Sequence, residues 1–249
     1  MIKTERQKQI IQLLKENCGF ISVDELSKKL YSSTSSIRRD LTHLENLGSV
    51  KRTYGGAELI STFSGAIPFN NRYYLNESEK KIIAKKALSL INDKCVVFMD
   101  QSSSAYYLAT MLPNLRTITV ITNNLEILNL LSNTNINVIS SGGSLHAENR
   151  CCLIGKNAED TFYKFHADYA FFSSKSLAVN GTISDCNYDE IPVRSAMLNN
   201  ASKKVFLCDG SKIGEYSAFI QSSLSDIDYL VSNVDCSSFK NKFPHLTVL

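Results

Sequence analysis

The chain has 249 residues, of which 43% are hydrophobic and 20% are charged. This length exceeds the usual size of one domain, so two domains are expected, and the apolar fraction excludes a disordered polypeptide. No apolar run approaches the roughly 18 residues that a membrane-spanning helix needs, and the polar N-terminus is unlike a secretory signal. These features predict a cytoplasmic globular protein with no membrane partner.

Seven cysteines and four histidines are scattered along the chain without a Cys-x-x-Cys pair or a cluster. An odd number of scattered cysteines favours reduced thiols over a disulfide framework. The adjacent Cys151 and Cys152 leave two interpretations open, a redox pair or two small buried hydrophobic residues, and the second is favoured. Neither a metal site nor a cofactor is expected.

Positive charge is concentrated near the N-terminus. Residues 1–57 contain ten Lys and Arg against six Asp and Glu, a net charge of +4, whereas the remaining residues contain 17 against 18, a net charge of −1. A basic head on a nearly neutral body is typical of a protein that binds nucleic acid through one small domain.

Three short helices and a β-prone segment are predicted within residues 1–57. Ser22 with Glu25 forms a capping box at the start of the second helix, and Ser33 caps the third. The β-prone segment 49–57 contains a glycine turn. This order predicts a winged helix-turn-helix; a helical bundle used only for protein interactions is the alternative.

The third helix has an apolar face made of Ile37, Leu41 and Leu44. Its opposite face would enter the major groove by its N-terminal half, and the basic wing would reach the flanking backbone. The residues expected to bind DNA are Ser22, Ser33, Thr34, Ser35, Ser36, Arg38, Arg39, Thr42, Lys51 and Arg52. The alternative is that the adjacent arginines only form a solvated face.

A linker is predicted over residues 58–76, where helical and strand periodicity both fail. From residue 77 to residue 249 predicted helices alternate with predicted strands, and this order is typical of a parallel sheet covered by helices. The strands are expected at residues 95–99, 117–122, 137–140, 169–173, 205–208 and 229–232. The predicted fold class is therefore α/β with an N-terminal winged helix-turn-helix.

The segment 33–48, with Arg-Arg-Asp-Leu at 38–41, followed by Gly-Gly-Ala at 55–57, resembles the N-terminal domain of the DeoR family of bacterial regulators. The resemblance implies a C-terminal domain with a sheet similar to ribose-5-phosphate isomerase, which senses a phosphorylated sugar. It places the effector at Asp100, Ser102, Ser103, Ser104, Thr122, Asn123, Gly142, Gly143 and Lys212.

Elementary chemistry agrees with an anion site at these residues. The loops lie at the carboxyl ends of predicted parallel strands, where such sheets bind ligands, and the serines at 102–104 begin a helix whose free amides attract phosphate. The sequence also departs from the family. Ser102 stands where the family has a glycine, the run 171–176 lacks the family's glycines, and Arg194 replaces a common lysine.

The predicted function is a DNA-binding transcriptional regulator, with repression of carbohydrate genes as the expected sign. Operator DNA, a phosphorylated sugar and further copies of the chain, in a dimer or tetramer, are the expected partners. One alternative is a regulator whose sensor domain binds no ligand and serves assembly. The other is a sugar-phosphate isomerase, which is disfavoured because residues 173–176 lack the carboxylate that such chemistry needs.

Overall fold

The computed structural model of the chain describes residues 3–17, 20–46, 50–59, 69–114 and 117–249. The chain divides into two compact units, of which the first ends at Arg72 and the second begins at Tyr73. The helix ends predicted at Gly19 and Gly48, and residues 60–68 of the predicted linker, lie outside the described residues.

The N-terminal unit contains three helices and a three-stranded antiparallel sheet of order β1-β3-β2. Its elements are α1 (Lys3–Glu16), β1 (Phe20–Ser22), α2 (Val23–Lys29), α3 (Thr34–Asn46), β2 (Val50–Thr53) and β3 (Gly56–Leu59). This is the predicted winged helix-turn-helix, with the unpredicted strand β1 added. The strand β3 runs past residue 57, because Glu58 and Leu59 still pair with Lys51 and Val50.

Both predicted caps are present. The Ser22 Oγ accepts a hydrogen bond from the Glu25 N–H at 3.1 Å, and the Ser33 Oγ accepts one from the Ser36 N–H at 3.3 Å. These bonds satisfy amides that have no partner inside the first turn of a helix, and so they fix where α2 and α3 begin.

The C-terminal unit alternates strands and helices, as predicted. A short helix, α4 (Phe69–Tyr74), lies within the predicted linker and spans the boundary between the two units. The elements that follow are α5 (Glu77–Leu88), β4 (Val96–Met99), α6 (Ser103–Ala109), β5 (Thr119–Thr122), α7 (Leu125–Leu131), β6 (Asn137–Ser140), β7 (Ser144–Leu145), β8 (Leu153–Ile154), α8 (Lys156–Tyr163), β9 (Ala167–Phe172), β10 (Ser176–Leu177), β11 (Thr182–Asp185), α9 (Glu190–Asn199), β12 (Ala201–Cys208), β13 (Phe219–Ser223), β14 (Tyr229–Ser232), α10 (Ser237–Lys242) and β15 (Thr247–Val248).

The main sheet has seven parallel strands in the order β15-β14-β12-β9-β4-β5-β6. All six predicted strands are in it, and β15 is the addition. The chain leaves β4 to build β5 and β6 on one side and returns to build β9 and the later strands on the other. The carboxyl ends of β4 and β9 therefore border the switch point, where an open α/β sheet has its ligand crevice.

Both faces of the main sheet are buried. Val97 and Met99 of β4 point into one apolar layer, whereas Phe98 points into the other, where its ring meets the ring of Phe162 at 5.0 Å between centroids. Strands covered on both sides read as continuous apolar runs, which explains why they could be predicted. None of the described helices combines the length and the apolar character that crossing a membrane requires.

Candidate DNA-reading helix and effector site

The sequence-predicted DNA-binding residues lie at the start of α2, from the residue before α3 as far as Thr42, and on the wing strand β2. Arg38 and Arg39 are exposed on α3, whereas Ile37 and Leu41 are buried in the core of the unit. Ser35 is exposed beside the arginines, and Thr34 and Ser36 are half-buried. The helix therefore presents a cationic, hydroxyl-bearing face to solvent and an apolar face to the protein.

Two of the residues predicted to bind DNA, Ser22 and Ser33, also cap helices. Ser22 and Ser33 use their hydroxyl oxygens to cap helices, so each has its Oγ directed at a backbone amide. The Ser33 hydroxyl also donates a hydrogen bond to the Ser36 Oγ at 3.0 Å, so its proton is used within α3.

The wing is fastened to the helix by Arg52. The Nη1 group of Arg52 donates a hydrogen bond to the Thr42 Oγ1 at 2.6 Å, and its backbone N–H donates to the Glu45 Oε1 at 2.9 Å. The Arg52 Nε also lies 3.8 Å from the Glu45 carboxylate. Sequence reasoning placed Arg52 and Thr42 separately against DNA, whereas the structure joins them; Lys51 and Arg52 are both exposed on the strand.

Asp40 is a residue that sequence reasoning missed. It is buried in the middle of α3, where it accepts hydrogen bonds from the Arg6 Nε at 2.5 Å and the Gln7 Nε2 at 3.2 Å. These bonds tie α1 to the DNA-reading helix. The available signal was an acidic residue three positions after Ile37, where a core position is expected.

Two exposed tyrosines were also missed. Tyr54 lies at the tip of the wing, and Tyr31, with a positive φ of 48°, follows α2; both side chains are almost fully exposed. The glycine that follows Tyr54 was the signal for a tight wing tip.

The predicted effector residues follow four strands of the main sheet, β4, β5, β6 and β12, whose carboxyl ends lie at one edge. Asp100 follows β4, Asn123 follows β5 and Gly142 follows β6. Lys212 reaches this edge from the loop after β12, where its Nζ donates to the Ser173 Oγ at 2.5 Å and lies 3.6 Å from Asp209. Side chains that are distant in sequence are thus assembled at the switch point.

The serines at the start of α6 differ in their bonding. The Ser102 Oγ caps the helix by accepting a hydrogen bond from the Ala105 N–H at 3.0 Å. The Ser104 Oγ is buried and has no hydrogen-bond partner among the described residues, and Ser103 is buried beside it. An unpaired buried hydroxyl is costly in an apolar setting, so Ser104 is the serine that most needs a ligand.

Asp100 and Thr122 are positioning residues. Asp100 is fully buried and accepts hydrogen bonds from the N–H groups of Ser102 and Ser173 and from the Arg194 Nε at 3.2 Å. Burial raises the pKa of Asp100, although the Arg194 charge opposes the shift. The Thr122 Oγ1 donates to the Met99 carbonyl at 2.7 Å, which links neighbouring strands.

The two glycines after β6 serve different purposes. Gly142 has a φ of +63°, and the space where a Cβ would point is open. Gly143 has a φ of +103°, and a Cβ there would lie 2.5 Å from the Ile154 carbonyl oxygen. Gly142 thus leaves room for a ligand, whereas Gly143 is required by packing against the protein itself.

The largest feature that sequence reasoning missed is the environment of Arg194, on α9. Its guanidinium is buried and contacts three carboxylates, those of Asp185 at 2.9 Å, Asp100 at 3.2 Å and Glu190 at 3.5 Å. Although burial lowers the pKa of Arg194, the three carboxylates raise it further, so this side chain is permanently charged. A basic residue within an apolar helix face, four positions after Glu190, was the available signal.

A winged helix-turn-helix with exposed arginines, joined in one chain to a parallel sheet with convergent loops, defines the class of two-domain transcriptional regulators. Comparison with known families specifies it further. Residues 6–63 match the DeoR-like helix-turn-helix domain, and residues 75–234 match the DeoR C-terminal sensor domain. The chain belongs to the DeoR family of DNA-binding transcriptional regulators.

Its relatives span nearly the whole chain. It is 35% identical to the HTH-type transcriptional regulator GolR of Listeria innocua, over 94% of this chain and 91% of the relative. It is 28% identical to the glycerol-3-phosphate regulon repressor of Escherichia coli, over 92% and 90%. Ribose 5-phosphate isomerase of Methanocaldococcus jannaschii is similar with a TM-score of 0.42 and 20% identity, over 55% of each chain.

Proposed function

We propose that the protein binds an operator through α3 and the wing, and that a phosphorylated sugar or polyol bound at the switch point controls this binding. The observation that supports the proposal best is the pairing of an exposed Arg38–Arg39 face with a sensor edge that gathers Ser104, Asn123 and Lys212. Repression, the sign that the resemblance implies, stays a prediction.

The chemistry of the edge supports an anionic, hydroxylated effector. The Lys212 Nζ and the buried hydroxyl of Ser104 offer donors for a phosphate, and the open space at Gly142 admits a small ligand. The glycerol-3-phosphate regulon repressor carries a phosphorylated polyol in its name. By extension, we propose a ligand of that class for this chain.

We propose no isomerase activity, because the carboxylates of Asp100 and Asp185 are engaged with Arg194. Asp100 and Asp185 each accept several protein hydrogen bonds, which leaves them poorly suited to act as a base. We also propose a homo-oligomer, dimer or tetramer, since one small DNA-binding head has limited affinity alone. We also propose a cytoplasmic location, because a bacterial regulator that binds an operator works where the DNA is.

The DNA-binding part is tested with Arg38→Ala and Arg39→Ala. An operator is first selected from random duplex DNA, and affinities are measured by fluorescence anisotropy at physiological salt. We expect each variant to lose about 1–3 kcal/mol of binding free energy, the usual contribution of an arginine that reads a base. The matched control is Lys85→Ala, an exposed cation on α5, which should bind normally. Normal affinity in both arginine variants, with the fold intact, would contradict the placement of α3.

The effector part is tested by thermal unfolding against phosphorylated sugars and polyols, each paired with its unphosphorylated form. A ligand at about a hundred times its dissociation constant adds about 2.7 kcal/mol of stability, which a melting curve resolves readily. We expect a shift from a phosphorylated compound only, and its loss in Ser104→Ala or Lys212→Met. No shift across the panel would instead favour a sensor domain that serves assembly.

A further inference from the structure

A hydrogen-bonded network of three side-chain amides and one carboxylate starts at Asn123, one of the predicted effector residues. The Asn123 Nδ2 donates to the Gln101 Oε1 at 3.2 Å, and the Gln101 Nε2 donates to the Glu190 Oε2 at 2.6 Å. On the far side, the Asn149 Nδ2 donates to the Glu190 Oε1 at 2.9 Å. All four residues are buried, so this network is shielded from water.

The bonding partners fix the orientation of both asparagines. The Asn123 Nδ2 also donates to the Leu153 carbonyl at 3.1 Å, and the Asn149 Nδ2 faces a carboxylate; neither partner can donate, so neither amide can be flipped. Each asparagine thus uses its NH₂ group on the protein. The Oδ1 atoms of Asn123 and Asn149 are buried and accept no hydrogen bond from any residue that the structure describes.

Glu190, which bonds Asn149, belongs to a cluster in which carboxylates outnumber cations. Asp100, Asp185 and Glu190 surround Arg194, so three buried carboxylates share one buried cation. The positive charge of Lys212 is balanced by the carboxylate of Asp209, which lies 3.6 Å from the Lys212 Nζ. A positive charge placed beside Glu190 would be stabilised in this low-dielectric region far more than in water.

We propose that the effector carries an ammonium group, which donates a hydrogen bond to the Oδ1 atom of Asn149, the residue whose amide group bonds Glu190. The effector is then an amino sugar phosphate, with its phosphate toward Lys212 and its amine at the opposite end. This proposal rests on the proposed function, since it names the chemical class of ligand for the same site.

An ammonium group fits the site better than the two other candidates. A sugar hydroxyl supplies one donor and no charge, whereas an ammonium supplies three donors and a full positive charge. For a metal ion, the described residues contain no group of three or more His, Cys, Asp or Glu side chains that could hold it. The Asn149 Oδ1 atom is enclosed by protein, so binding requires the segments around it to open.

The test compares matched ligands by isothermal titration calorimetry on the full chain. The pairs are the 2-amino-2-deoxyhexose 6-phosphates of gluco, galacto and manno configuration, each with its parent hexose 6-phosphate. We expect at least one amino compound to bind about tenfold tighter than its parent, the difference between a charged and a neutral hydrogen bond. The N-acetylated form, which is uncharged at nitrogen, should lose this preference, as should the amine when the pH is raised above its own pKa.

The matching protein variant is Glu190→Gln, which keeps the shape of the side chain and removes its charge. It should bring the affinity ratio of amine to parent close to one; Glu148→Gln, an exposed carboxylate on the loop of Asn149, should keep the ratio of the unsubstituted chain and is the control. If the Glu190→Gln variant does not fold, the proposal is tested by the two ligand measurements, those with the N-acetylated form and those with the amine at high pH.

Two results overturn the amine proposal while leaving the proposed function intact. One is equal or weaker binding of the amino compound in all three pairs. The other is no binding of any amino compound, together with a response to a different phosphorylated compound in the thermal panel. If no phosphorylated compound binds or shifts the melting curve, both proposals are overturned.

Discussion

The buried guanidinium of Arg194 shows how one residue organises the sensor edge. Removing a charge from water costs several kcal/mol, and that cost is offset only where hydrogen-bonded counter-charges surround it. Asp100, Asp185 and Glu190 come from the loop after β4, from the end of β11 and from the start of α9, so Arg194 joins three separate segments. Its loss should therefore loosen the whole edge.

We expect Arg194→Met to lower the free energy of unfolding by about 3–5 kcal/mol, because it leaves three buried carboxylates without their cation. Arg194→Lys should lose less, since an ammonium keeps the charge but cannot span all three partners. Urea unfolding followed by circular dichroism measures the change, as the chain contains no tryptophan. The control is Arg150→Met, an exposed arginine, which should stay within about 0.5 kcal/mol of the unsubstituted chain. Similar stability of the Arg194 and Arg150 variants would contradict this account.

Residues whose role is local could be predicted from the sequence, and residues whose role is long-range could not. The caps by Ser22 and Ser33 depend on spacings of three residues, which the sequence displays directly. Asp40 meets Arg6 across 34 positions, and Asp100 meets Arg194 across 94. Charged pairs of this kind follow from the tertiary fold, so the sequence alone showed Arg194 only as a departure from the family.

At the scale of elements, long apolar strands and amphipathic helices were predictable, whereas short strands were not. The predicted ranges of β6 and β14 agree with the structure to the residue. The strands β10 and β15 have two residues each, too few to display any periodicity, and β13 is rich in polar residues. The small antiparallel sheet of β10, β11 and β13 therefore escaped prediction altogether.

The wing depends on two adjacent glycines for different reasons, and this difference can be measured. A Cβ on Gly56 would lie 2.5 Å from the Ile21 carbonyl oxygen, whereas Gly55 has a φ of +84° and open space around it. We expect Gly56→Ala to separate β3 from β1 and to lower the free energy of unfolding by about 1–3 kcal/mol, in the range of other overpacked sites.

The matched variant is Gly55→Asn, because asparagine adopts a positive φ more readily than other residues with a side chain. It should lose less stability than Gly56→Ala in denaturant unfolding followed by circular dichroism. If Gly55→Asn were the more damaging change, backbone conformation and not the contact with β1 would limit the wing.

At the scale of the whole molecule, the positive charge is concentrated in the helix-turn-helix unit. The positive excess lies within residues 1–57, which contain the helix-turn-helix, and the rest of the chain is close to neutral. The motifs at 38–41 and 55–57 allowed the family and the order of the two units to be predicted. The strand order β9-β4-β5, which places the sensor loops together, became visible only in the folded chain.

The bond between Arg52 and Thr42 has a consequence for anyone who wishes to redirect this protein to a new operator. Because the wing strand is hydrogen-bonded to α3 at Thr42 and Glu45, the helix and the wing form a single interchangeable part. A transplant of the helix alone would leave the Arg52 side chain without its acceptor and shift the wing. Grafts that carry residues 33–59 together preserve this bond. The DNA specificity of this protein is therefore best exchanged by moving the helix and the wing as one segment.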